Sequence, residues 1–326
     1  TTTSKINFDA ALYSFDGTTT FEAEDAGDGE TFDISTSTTI ETAGDTLSFT
    51  EGTIDLDAGA NLTMTSTGGP ITVNGVVGDS SETVSISAGT TDGNTDTVNI
   101  TGNIGNANEI LSVAITGADG ITLTGTTIDT ADAANPNISF TGPVTVAGTV
   151  SVTSNNTTND GTLGFSSTID GASTGTNNLT IQSGTGALTL SGTIGVTTGL
   201  DALTINTETG AGTITVLAIG DTDAAGAGTT SIGNASTTNL TLSGAYYRTD
   251  GALTITTASG AGAIDFTGGA AKTITTNGQS VEFVGGDFLL ANATDLTINT
   301  NIGNGVSNGG NITIAGSIVG NSDEDL

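Results

Sequence analysis

The chain has 326 residues, a formal net charge of −32, 49 glycines, three Lys plus Arg, and neither His nor Cys. A surface this acidic repels nucleic acid and anionic lipid headgroups, both of which are bound through Lys and Arg, and the missing His and Cys exclude a Ser-His-Asp triad, a thiolate nucleophile, disulfides and a His-ligated metal. Hydrophobic residues are 34%, short of the about 45–50% of an ordinary globular domain, so a thin core with a few aliphatic side chains per coil is expected instead of a thick one.

The first fifty residues stand apart. They hold Phe8, Tyr13, Phe15, Phe21, Phe32 and Phe49, and a tight cluster of Glu22, Glu24, Asp25, Asp28 and Glu30. A solenoid end exposes an unpaired strand edge that has to be covered or paired. Residues 1–50 are therefore read as a cap or docking segment, and 51–326 as the solenoid proper.

From there one phrase recurs: Asn61-Leu62-Thr63-Met64-Thr65, Asn178-Leu179-Thr180-Ile181, Ala202-Leu203-Thr204-Ile205, Asn239-Leu240-Thr241-Leu242, Ala252-Leu253-Thr254-Ile255, Asp295-Leu296-Thr297-Ile298 and Asn311-Ile312-Thr313-Ile314. Apolar, Thr, apolar is a period of two, which puts the aliphatics on one face of a strand and Thr on the other. Thr, Ile and Val suit a pleated strand, and Gly or Gly-Asn suits the corners between strands. No window shows a convincing period of 3.6, so almost no helix is expected. The pattern predicts an all-β chain, a right-handed parallel β-helix of roughly 13–15 coils, each of roughly 20–25 residues in two or three strands. The phrases are unevenly spaced: Leu179 to Leu203 is 24 residues, Leu203 to Leu240 is 37, and Leu240 to Leu253 is 13. The long gap from Leu203 to Leu240 is the candidate place for an inserted binding loop.

Few residues carry chemistry. Asp92-Gly93-Asn94-Thr95-Asp96 spaces oxygen ligands like the first half of an EF-hand loop but lacks the Gly and the Glu that complete one. Asp92, Asn94 and Asp96, with Asp221 and Asp223 and with Asp25 and Asp28, are the Ca²⁺ candidates; a solvated acidic turn is the alternative at each. Tyr246-Tyr247-Arg248 is the single aromatic-basic cluster, suited to stacking on a sugar or to filling an outward bulge. Thr63-Met64-Thr65 and Thr122-Leu123-Thr124 have the form of ice-binding triplets but recur at no constant interval. A polysaccharide-active β-helix enzyme would need a base beside paired carboxylates, and Lys5, Arg248 and Lys272 are the only basic residues. No catalytic or cofactor-binding residue is assigned, and no enzyme activity is expected.

The stretch Asn178 to Gly195, with Gly186-Ala187-Leu188-Thr189-Leu190-Ser191-Gly192-Thr193-Ile194-Gly195 following Asn-Leu-Thr-Ile, resembles the repeats of large bacterial surface exoproteins of the filamentous-haemagglutinin-like and autotransporter-adhesin kinds. The resemblance covers residues 55–320 and transfers no site residue. It implies a secreted or surface-displayed prokaryotic stalk, adhesin or fibre. The expected function is an extracellular structural rod that self-associates into a filament, sheath or layer. An adhesin stalk that binds cell-surface glycans is the alternative, and neither nucleic acid nor membrane insertion is expected.

Overall fold

The structure, a computed structural model, describes residues 5–22, 31–89, 95–106, 109–133, 136–154, 160–208, 210–224, 226–260, 262–268, 271–301 and 309–320. Among these residues there is no helix; short strands pair in parallel and stack as a β-solenoid of about 11 turns. The chain divides into two compact units, Thr1–Thr162 and Leu163–Leu326.

In the first unit each early turn lays down three strands. Lys5–Phe8, Leu12–Phe15 and Thr19–Glu22 are followed by Thr31–Ile34, Thr38–Thr42 and Leu47–Thr50, then by Thr53–Leu56, Leu62–Ser66 and Ile71–Val73. Each strand pairs with its counterpart one turn on. The described part of residues 1–50 thus supplies two turns to the same ladders as the residues that follow. Alternation does the rest: Ile40, Met64, Ile86, Ile115 and Phe140 occupy one inward column, each on the next turn, and all are at most 1% exposed. Burying each such side chain contributes about 1.5–3 kcal/mol.

The second unit repeats the scheme. Ile181, Ile205, Ile232, Ile255, Phe283 and Ile314 form one column, and Leu188, Ile214, Leu240, Ile264, Phe288 and Ile318 form another.

Register shows why the phrases were unevenly spaced. Leu203 aligns with Thr230 one turn later, not with Leu240, which continues the column of Ile214. The phrase marks a strand, not a turn: the phrases at Leu179 and Leu203 share one face, whereas those at Leu203, Leu240 and Leu253 do not follow one another in a single column. The gap from Leu203 to Leu240 contains the ordinary strands Thr213–Ile219 and Ala227–Ile232, and no inserted loop lies among its described residues. Turn length varies from 22 residues (Leu62 to Val84) to 31 (Val281 to Ile312). Corners longer than expected are the reason for about 11 turns instead of 13–15.

The strands stay aligned while the corners vary in length, because the ladder hydrogen bonds between turns fix the register of the strands. Thr20, Ser48, Thr72, Asn99, Thr122 and Thr145 therefore form one outward hydroxyl and amide ladder over six turns. Acidic residues gather elsewhere: Asp33 and Asp55 are ladder neighbours on the strands after Lys5–Phe8. Burial, and then the nearby Asp33, Asp57 and Asp79 against Lys5, raise the Asp55 pKa.

One corner requires glycine. The strand Val144–Thr153 bends at Gly148, with φ of 93°, directly over Gly125, with φ of 54°. A Cβ on Gly148 would sit 3.4 Å from the Gly125 backbone.

Candidate functional site

The second unit carries a surface cleft of about 340 Å³ lined by Asp221, Thr222, Tyr246, Arg248, Thr273 and Thr275. Alternation along Tyr246–Thr249 builds it. Tyr247 points inward and is 1% exposed; its hydroxyl accepts the Gly244 N–H at 3.0 Å and lies 2.9 Å from the Leu217 carbonyl it donates to. Burial pushes the pKa of that hydroxyl far above its ordinary value. Tyr246 and Arg248, on either side, face outward into the cleft. One turn on, Thr273 and Thr275 are their ladder partners, and Thr297 and Asn299 follow on the next turn.

The corner after Thr213–Ile219 supplies the rest of the lining, Asp221 and Thr222. There Asp221 Oδ1 accepts the N–H groups of Asp223 and Ala224, both at 2.8 Å, a side-chain turn typical of Asp. Those two donors, and the charge of Arg248, hold the Asp221 carboxyl below its ordinary pKa. Arg248 Nη1 donates to the Thr222 carbonyl at 2.6 Å, while its Nε is buried with no hydrogen-bond partner. Carboxylate and guanidinium thus share one cleft and sense each other, without a direct ion pair among the described residues.

Three of the Ca²⁺ candidates, Asp96, Asp221 and Asp223, lie among the described residues. Asp25, Asp28, Asp92 and Asn94 lie outside the described residues. Asp96 is buried in the first unit, where its N–H donates to the Asp119 carboxylate at 2.9 Å. Asp221 and Asp223 share the corner just described in the second unit. Among the described residues no group of three or more Asp and Glu is arranged to hold a metal ion.

Three charged residues of structural weight carry no sequence signal. Glu82 is wholly buried, although it sits in a polar corner. Asp129 has its pKa raised to about 6 by burial and by the charge of Glu109. Lys272 points inward, 1% exposed, and donates from Nζ to the Ser243 carbonyl at 2.8 Å; burial lowers its pKa. Glu82 and Lys272 break the rule that charge marks the outward face, and only the register of neighbouring turns reveals it; Asp129 alternates with the inward Ile128 and lies half-buried on the outward face of its strand. The Asp221–Arg248 juxtaposition is equally hidden, because the length of one turn decides it.

At the outermost described rungs, members of the core columns are exposed. Ile6 heads the column of Phe32 and Ile54 on a strand that pairs on one side only among the described strands, and it is 44% exposed. Ile312 and Ile318 close the columns of Val281 and Phe288 in the same way, at 47% and 38%. No family model, curated protein or solved structure matches the chain.

Proposed function

We propose that this protein is an extracellular structural solenoid that builds a filament, sheath or layer by pairing with copies of itself through the strands of its outermost described rungs. The observation that carries this reading is the exposure of Ile6 on one edge and of Ile312 and Ile318 on the other, in columns whose other members are buried. An edge strand with unpaired N–H and C=O groups is a template for another chain, and edge-to-edge parallel pairing between different ends is a heterologous contact that propagates. Each copy brings a charge of −32, so association strengthens as salt or Ca²⁺ screens the repulsion.

Electron microscopy and light scattering of the purified chain, at rising NaCl and with Ca²⁺ or chelator, test this. Polymers that form in the native chain and fail in an Ile6→Lys, Ile318→Lys double variant support the proposal. A native chain that stays monomeric under all these conditions, or a double variant that polymerises equally well, overturns it.

A further inference from the structure

We infer that the cleft between Asp221 and Arg248 is a binding site for a neutral saccharide, a function independent of self-association. The composition of the cleft selects the ligand class. A bound anion would face the Asp221 carboxylate and a chain of net charge −32. A bound cation would face the Arg248 guanidinium. A polyol suits both walls, because each hydroxyl both donates and accepts. One hydroxyl donates to Asp221, while a neighbouring one accepts from a guanidinium N–H of Arg248 other than the one given to the Thr222 carbonyl.

Tyr246 supplies what a sugar ring needs beyond hydrogen bonds. It is held at the cleft wall by the anchored Tyr247 beside it, and it offers an aromatic surface to the apolar C–H side of the ring. Pre-anchoring limits the ordering cost of binding. At about 340 Å³ the cleft lies at the small end of ligand sites, so it takes the end or one unit of a longer glycan. The ladders Tyr246–Thr273–Thr297 and Arg248–Thr275–Asn299 continue from it along successive turns, about 4.8 Å apart. They present hydroxyl and amide groups to further sugar units.

The test uses the full chain. Calorimetric titration with a panel of neutral oligosaccharides (gluco-, manno-, galacto-, xylo- and chito-series) is run beside an acidic panel of polygalacturonate and heparin fragments. Tyr246→Ala and Arg248→Gln are compared with the native chain, with thermal melts as the folding control. Saturable binding of a neutral oligosaccharide, weakened about tenfold by either substitution at an unchanged melting temperature, is the expected result. If Tyr246→Ala does not fold, Arg248→Gln alone decides. No binding across the neutral panel, binding confined to the acidic panel, or neutral binding that the folded variants leave unchanged overturns the inference.

Discussion

Glu82 carries its carboxylate back one turn to the backbone N–H of Gly59, which donates to Oε1 at 2.7 Å. Oε2 accepts from the N–H groups of Asp79, at 2.6 Å, and Ser81, at 3.0 Å, and the Ser81 hydroxyl donates to Oε1. Burial by itself would raise the pKa of this carboxyl; the Ser81 hydroxyl and the three amides outweigh it and hold the value at about 2. One side chain thereby accepts from N–H groups of two corners on consecutive turns, in part-buried hydrogen bonds.

The folded pKa lies below the unfolded one, so this stabilisation is complete above about pH 4.5 and is lost as pH falls toward 2. Glu82→Gln places an NH₂ group against N–H donors. It is expected to lower stability at pH 7 by about 2–3 kcal/mol and to flatten the acid limb of the curve. Urea unfolding between pH 3 and 7 measures both.

Asp129 has the opposite sign. Its folded pKa of about 6 lies above the ordinary 3.8, so the folded state holds the proton more tightly between those values. Its contribution falls as pH rises from about 4 to 6 and is flat above that. Asp129→Asn keeps the shape and removes the charge near Glu109. A gain of about 1 kcal/mol at pH 7, discounted for partial solvent contact, is expected to vanish at pH 4 in thermal melts.

Phe49 is fully buried where the first two turns meet, stacked on Phe21 at 4.7 Å between ring centroids and edge-on to Phe32 at 5.2 Å. Phe49→Ala opens a cavity among aromatic neighbours and is expected to cost about 3–5 kcal/mol, whereas Phe49→Leu costs less than half of that. Limited proteolysis should locate the first cuts within residues 5–50.

Gly148 and Gly164 make a contrasting pair. Gly148→Val forces a β-branched residue into positive φ at the bend and is expected to destabilise by at least about 2 kcal/mol. Gly164 has nothing within 4 Å of an added Cβ, and its ladder neighbour is Thr189. Gly164→Thr adds a cross-strand Thr pair and is expected to stabilise by about 0.5–1 kcal/mol. Denaturant midpoints of the two variants separate a required glycine from a replaceable one.

Asn206 reaches between turns at a corner, with φ of 49°. Its Oδ1 accepts the N–H groups of Ser183 and Gly184, at 3.1 and 2.9 Å, and its Nδ2 donates to the Gly184 carbonyl at 3.1 Å. Asn206→Ala strands three buried polar groups and is expected to lower stability by about 3 kcal/mol, more than Asn206→Asp, which retains the acceptor. Chemical denaturation of both variants checks the order.

What the sequence determined by itself was the strand chemistry. Leu203-Thr204-Ile205 and its relatives alternate with period two, and that local pattern decides which side chains face inward whatever the chain does next. The absence of His and Cys likewise settled which nucleophiles and metal ligands were unavailable. Tertiary structure decided everything that depends on turn length. It placed Leu203 over Thr230 instead of Leu240, turned Glu82 and Lys272 inward, and brought Arg248 to Asp221 across a corner. The physical reason is that hydrogen bonds between turns fix the register of strands, while corners of 22- to 31-residue turns absorb the variation. A period-two signal carries no information about how many residues a corner takes.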